Sequence, residues 1–167
     1  MDFFIKAYRA NKMAEQQFAV HLDDFDRKIL DVLQQHGRMP VTELADRVGL
    51  SKTPCQVRLK RLTDRRVIRA FRAIVDPVVL GLDHIAFCEV KLSDTRETAL
   101  RDFNEAVQRI AEVEECHMIA SSFDYLLKVR TTDIRRYRLV LAEKISALPH
   151  VASTSTYVTM ETVKDDR

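Results

Sequence analysis

Two apolar stripes joined through a short Gly-containing turn constrain this chain more than any other feature in it. Val41, Leu44, Ala45 and Val48 recur at i, i+3, i+4 and i+7, and Cys55, Leu59 and Leu62 at i, i+4 and i+7. Each is the spacing of one face of a helix. Gly49-Leu50 turns the chain from the first of these helices into the second, which begins at Ser51. A glycine suits the left-handed residue that ends a helix. Ser51 is an N-cap type, whose side-chain oxygen accepts a bond from an orphan N–H of the first turn. Pro54 falls in that first turn, where its missing N–H is least costly. Upstream, Leu22, Phe25, Ile29, Leu30 and Leu33 line a further helix. Asp23 is placed to cap it, Asp24 and Asp26 put negative charge at its N-terminus, and Gly37 is placed to close it as a left-handed residue.

The helix from Ser51 to Leu62 leaves Lys52, Thr53, Gln56, Val57, Lys60 and Arg61 on its outward side. From Arg47 to Arg72 there are nine Lys or Arg against one acid, Asp64. A charge run alone is often only a solvated surface. Here it comes after a helix and a short Gly-containing turn, which is the helix-turn-helix arrangement whose second helix enters the major groove of DNA. Val67-Ile68 then opens an extended segment, Ile68 to Val75, carrying Arg69 and Arg72. It reads as a short hairpin wing beside the DNA helix, as a strand connecting two domains, or as both. Asp76-Pro77 ends it, and Gly81 breaks the next stretch of chain.

A length of 167 residues suits one large or two small domains. The net charge of +2 is unevenly placed: residues 21–76 carry +4 and residues 77–167 carry −3. That asymmetry suggests a DNA-facing half joined to a half with another task. Cys55, Cys88 and Cys116 are odd in number and set among apolar residues, as reduced thiols of a cytoplasmic protein would be. The apolar runs are too short for a membrane span and no signal-peptide pattern opens the chain. Residues 1–20 carry Phe3, Phe4, Ile5, Tyr8, Met13 and Phe18, which suggests an arm packing on a neighbour. Lys6, Arg9 and Lys12 would let the same arm touch DNA.

The second half alternates element types. Ile85–Leu92 is β-rich, Arg96–Ile110 helical, Val113–Ala120 and Tyr125–Thr131 strand-like, Ile134–Leu148 helical up to Pro149, and Val151–Val163 a Thr- and Val-rich strand. The order βαββαβ is the ferredoxin-like plan, an antiparallel four-stranded sheet with two helices on one face. The other face is bare in a monomer, so oligomerisation is expected. The fold class is therefore α+β: an N-terminal winged helix-turn-helix domain plus a C-terminal ferredoxin-like βαββαβ sandwich.

Leu22-Asp23 through Ile29-Leu30, Leu44-Ala45, Val48-Gly49-Leu50-Ser51, Arg58, Arg61-Leu62 and Val67-Ile68 resemble the leucine-responsive/AsnC-type (Lrp/AsnC, feast/famine) bacterial transcription regulators. Asp76-Pro77, Leu80-Gly81, Phe123-Asp124-Tyr125-Leu126-Leu127 and Leu148-Pro149 extend the resemblance, which runs from about Leu22 to Lys164. Ser51-Lys-Thr-Pro-Cys55 and Glu115-Cys-His-Met-Ile119 are similar to the leucine-responsive branch, which includes activators of proline catabolism. The resemblance implies an arm over 1–21, a DNA-binding domain over 22–76, a linker over 77–83 and an effector-binding and oligomerisation domain over 84–164. It implies dimers that assemble further, to tetramers or octamers, with amino-acid effectors bound between subunits. By position, Met118, Ser121, Ser122, Phe123, Asp124, Tyr125, Ile134, Tyr157 and Val158 would form the effector site, Asp124 facing the ammonium group. Asp124 as a structural cap of the turn before Tyr125 is the alternative.

At the DNA, Ser51, Lys52, Thr53, Gln56, Val57 and Lys60 would lie in the groove. Gln56 suits adenine edges, and Val57 or the Thr53 methyl suits a thymine methyl. Arg58, Arg61, Arg69 and Arg72 would position the duplex through phosphates, Arg58 having a structural ion pair as its alternative. No catalytic residues, metal ligands or cofactor are expected. Related architectures include sirohaem decarboxylases, but the five histidines are scattered and no catalytic motif stands out. RNA binding by the second half lacks its Gly-flanked aromatic platform. A ligand-independent architectural DNA-binding protein is the more serious rival. Three positions depart from the family pattern: Arg66, Ser121 and His150 stand where glycine is usual. A left-handed backbone at Arg66 would cost roughly 1 kcal/mol, unless Arg66 extends the helix instead. A side chain at Ser121 would alter or occlude the effector loop.

Overall fold

The computed structural model describes residues 21–165, so the arm expected over residues 1–21 falls outside it but for His21. The chain divides into two compact units between Ala73 and Ile74.

Among the described residues the first unit shows three helices. Helix α1, Asp24–Gln35, begins with the reciprocal capping arrangement that its sequence suggested. The Asp26 N–H donates to Asp23 Oδ1 at 2.9 Å and the Asp23 N–H to Asp26 Oδ2 at 3.2 Å. Gly37 does not take the expected left-handed conformation; the helix ends instead on His36, at φ −134° and ψ 63°. Helix α2, Val41–Val48, is closed by Gly49 at φ 76°, and the Leu50 N–H turns back to the Ala45 carbonyl at 2.9 Å. A residue with a Cβ would be strained there. Ser51 is the N-cap of α3, Lys52–Asp64. Ile29, Leu44, Ala45, Val48, Cys55 and Leu62 make the core, with Leu59 and Val67 packed against it. Full burial of each large aliphatic side chain contributes about 1.5–3 kcal/mol.

Helix α3 does not run on through Arg66. The Arg66 N–H bonds Thr63 O at 2.9 Å and the Val67 N–H bonds Leu62 O at 2.9 Å, the paired closure of a Schellman motif. Arg66 supplies its left-handed residue at φ 55°, where glycine is usual. The segment after it, residues 69–76, has no regular structure and pairs with no strand among the described residues, so the expected wing does not form there. Pro77–Gly81 then closes a turn, with Gly81 at φ 68°.

The second unit runs β1 (His84–Leu92), α4 (Glu97–Val107), β2 (Val113–Met118), β3 (Tyr125–Thr131), α5 (Ile134–Val140) and β4 (Val151–Val158). All neighbouring strands are antiparallel, in the order β2-β3-β1-β4. This is the βαββαβ plan read from the sequence. Strand β4 stops at Val158, short of the expected Val163. Alternation in β1 sends Ala86, Cys88, Val90 and Leu92 toward the helices, where Tyr125, Leu127, Val129, Phe103, Val107 and Tyr137 complete one core. The opposite face carries Phe87, Glu89, Lys91, Leu126 and Lys128, so it is mixed rather than apolar. The second helix is not one regular element either. After Val140 it widens into a π turn, Leu141–Ile145, with the Ser146 N–H reaching Leu141 O at 2.8 Å. In that turn Ile145 is fully buried, and Lys144 bonds both oxygens of Glu112 at 2.8 Å. Cys55 and Cys88 are buried as expected, whereas Cys116 is exposed because β2 is an edge strand.

Candidate nucleic-acid interface and effector site

Besides the buried Cys55 and Leu62, one carboxylate ties helix α3 to α1. Asp26 is fully buried, on the first turn of α1, and faces α3. Its Oδ1 accepts from Arg58 Nη1 at 3.0 Å, and its Oδ2 accepts a short bond from Arg61 Nη2. The same Arg58 nitrogen donates to Asp23 Oδ2 at 2.6 Å. The Arg58 guanidinium also lies over the Phe25 ring, 5.4 Å from its centre. The Asp26 N–H, then Arg58, holds the Asp23 carboxyl below its usual range, and the Asp23 carboxylate raises Arg58 in return. Two arginines expected at phosphates are thus engaged inside the domain. Arg61 keeps a partly exposed side chain; Arg58 is the more enclosed.

With that side of α3 anchored, the other is open. Lys52, Thr53, Gln56, Val57 and Lys60 are all exposed, at a spacing that puts them on one face. Val57 is 64% exposed and takes no part in the core of the unit. Ser51 occupies the N-cap position, but its side chain makes no capping bond, which leaves the hydroxyl available to a ligand. Lys60 pairs with Asp64 at 2.5 Å across one turn, both exposed. Arg69 and Arg72 are exposed on the unpaired segment after α3.

The nine effector-site candidates fall in two places. Met118, Ser121, Ser122, Phe123, Asp124 and Tyr125 gather where β2 turns into β3, beside the Leu92 end of β1. Ile134, Tyr157 and Val158 lie toward the His84 end, where Val158 pairs with Ala86 and Tyr157 with Phe87. Ala86 and Leu92 are six residues apart on β1, about 20 Å at strand rise. Within one chain these groups do not meet. Tyr125 faces the core, 2% exposed and stacked on Phe103 with ring centres 4.4 Å apart, so its side chain is not presented to a ligand. Ser121 is exposed and is not left-handed. Asp124 is held on all sides: its N–H donates to Val90 O at 3.0 Å, its carbonyl accepts from Ile119 at 2.9 Å, and Oδ2 accepts from the Leu92 N–H at 2.8 Å. Oδ1 accepts from Lys91 Nζ at 3.2 Å.

Asp26 and Lys91 are the residues that sequence reasoning passed over. Asp26 looked like one of several acids at a helix start, and only its partners 32 and 35 residues on set it apart. Among the described residues no group of His, Cys, Asp and Glu could hold a metal ion, and no helix is long and apolar enough to cross a membrane.

Residues 22–63 match the AsnC-type helix-turn-helix domain and residues 85–167 the Lrp/AsnC ligand binding domain. The chain is 64% identical over 153 residues to the proline dehydrogenase transcriptional activator of Rhizobium radiobacter, covering 92% of this chain and 98% of that one. It is 43% identical over 143 residues to the leucine-responsive regulatory protein of Escherichia coli (strain K12), covering 86% and 87%. A solved transcriptional regulator of Neisseria meningitidis, in complex with L-Met, superposes with a TM-score of 0.80 at 32% identity, covering 87% and 94%. On the strength of both domain matches and these relatives, the chain belongs to the Lrp/AsnC family of transcriptional regulators.

Proposed function

We propose that the protein is a sequence-specific DNA-binding transcriptional regulator of amino-acid metabolism, working as a dimer or higher assembly and modulated by an amino acid bound between subunits. The observation that carries the DNA reading is the exposed face of α3. Five candidate groove residues stand free of the core on a helix whose opposite side is pinned by Asp26. Gln56 reads adenine edges, Val57 and the Thr53 methyl meet thymine methyls, and Lys52, Lys60, Arg69 and Arg72 supply the cationic contacts. Two α3 helices about 34 Å apart meet successive major grooves of one duplex. Binding titrations test these roles. Lys60→Ala weakens binding to all sequences alike and lowers the salt slope by about one. Gln56→Ala mainly relaxes sequence preference; the reverse pattern overturns the assignment.

The effector reading is supported by the match to the family's ligand binding domain and by the relative solved with L-Met. The separation of the candidate residues to opposite ends of the sheet favours a site completed by a second chain. Thermal-shift screening against amino acids, leucine and proline first, tests it, since a ligand of the native state raises apparent stability. Asp124→Asn separates a ligand role from a structural one: a normal assembly with an unchanged effector response counts against the first. A ligand-independent architectural role has one observation in its favour, that the Asp124 carboxylate already holds two partners.

A further inference from the structure

We propose that Lys91 is a built-in competitor for the effector: its ε-ammonium occupies the place on Asp124 that the α-ammonium of an amino acid takes, and the ligand enters by displacing it. The competitor role rests on the effector reading and deepens it.

The two oxygens of Asp124 differ in what can be exchanged. Oδ2 is committed to the Leu92 N–H at 2.8 Å, and the loop backbone is clamped on both sides by Val90 O and the Ile119 N–H. The carboxylate is therefore fixed in position. Oδ1 is held by Lys91 Nζ at 3.2 Å, a partner on a long flexible stem. The Lys91 side chain is 45% exposed and that of Asp124 only 16%, so the lysine is the member of the pair that leaves without unfolding anything. Lys91 belongs to the strand face opposite the core, opposite Ser153 of β4, where open surface receives it when it swings away.

The exchange is chemically even-handed. The ligand's α-ammonium, primary in leucine and methionine and secondary in proline, replaces the Lys91 ammonium on the same oxygen, so the Asp124 carboxylate is not left unpaired. A ligand without an ammonium gains nothing from Asp124 and has no means to evict Lys91. The pair thus selects for amino acids over their deaminated analogues, and it sets the response at a higher amino-acid concentration than an unoccupied Asp124 would.

Calorimetric titration of the full chain tests this, with L-leucine, L-methionine and L-proline as probes and 4-methylpentanoate, leucine without its amino group, as control. Lys91→Gln and Lys91→Met remove the competing cation, and Lys91→Arg keeps it. For every amino acid that the wild type binds, both neutral variants tighten affinity by about two- to five-fold, the range expected of an ion pair of this exposure. Lys91→Arg stays near the wild type, and the neutral variants leave the affinity of 4-methylpentanoate unchanged. Wild-type binding with unchanged or weaker affinity in both neutral variants overturns the competitor role alone, weaker binding meaning that Lys91 grips the ligand's carboxylate. Absence of amino-acid binding in the wild type and in every variant overturns the effector reading, and the competitor role with it.

Discussion

Replacing Asp26 by alanine strands two guanidinium groups at once. Arg61 loses its carboxylate partner, Arg58 keeps only Asp23, and the Asp23 N–H loses its capping acceptor. Removing one member of a buried ion pair typically costs about 3–5 kcal/mol. Asp26 is fully buried, but the side chains of Arg58 and Arg61 are 24% and 39% exposed and regain water in its absence. The expected loss is therefore near the low end, about 3 kcal/mol, or roughly a hundredfold in the ratio of folded to unfolded chains. For a small three-helix unit, with a total stability of about 5–15 kcal/mol at most, that is a large share. Urea denaturation monitored by far-ultraviolet circular dichroism reads it as an early loss of the helical N-terminal unit. Asp26→Asn keeps the shape and one acceptor and loses about half as much. The combined variant Asp26→Leu, Arg58→Met, Arg61→Leu removes the buried carboxylate and both arginines, leaves only the more exposed Asp23 charged, and is expected to be more stable than Asp26→Ala. If it also binds DNA, Arg58 and Arg61 orient α3 rather than grip phosphates. A loss below about 1 kcal/mol for Asp26→Ala refutes the reasoning, because it means that the cluster is solvated in the native state.

Three further outcomes hang on single residues. Arg66→Gly relieves the left-handed residue at φ 55° and stabilises the N-terminal unit by about 0.5–1 kcal/mol in the same urea assay; a destabilised variant would mean that the Arg66 side chain itself holds the helix end. The Asp23 carboxyl is depressed below its ordinary value of 3.8, so its contribution is fully present above that pH and is lost as pH falls through the lower folded value. Acid titration of Asp23→Asn then shows a smaller loss of stability below pH 3.8 than the wild type, while parallel curves would contradict the assignment. Tyr137→Phe removes the 2.7 Å bond to Thr156 between α5 and β4 and costs about 1 kcal/mol, seen as a lower Tm of the second unit.

What the sequence disclosed and what it withheld divide along the range of the forces involved. The three N-terminal helices and the βαββαβ order were legible because periodicity, caps and Gly49 act within a few residues. The Asp23 cap and the buried stripe of Cys55 and Leu62 obey the same local logic. The Arg58–Asp26–Arg61 cluster was only half visible, since it joins positions 32 and 35 apart, and nothing adjacent to Asp26 distinguishes it from Asp24. The π turn at Leu141–Ile145 hides in a pattern that a regular helix also fits; packing of Ile145 and the pull of Glu112 on Lys144 accompany it. A hairpin wing needs a second strand, and residues 69–76 find none among the described residues. At the effector loop the sequence singled out Asp124 but not Lys91, its partner 33 residues away, because pairing there depends on the register of β1 against β3.

The central claim is that one duplex is read by two copies of α3 set one helical turn apart. Hydroxyl-radical footprinting on a bound operator, repeated with 5 and with 10 base pairs inserted between the half-sites, tests it most directly. Two protected patches are expected on one face of the DNA, about 10 base pairs between centres, with affinity lost on both insertions, because half-sites moved to about 15 or 20 base pairs apart no longer meet two helices about 34 Å apart. A single protected patch, or binding indifferent to the half-turn insertion, would contradict it.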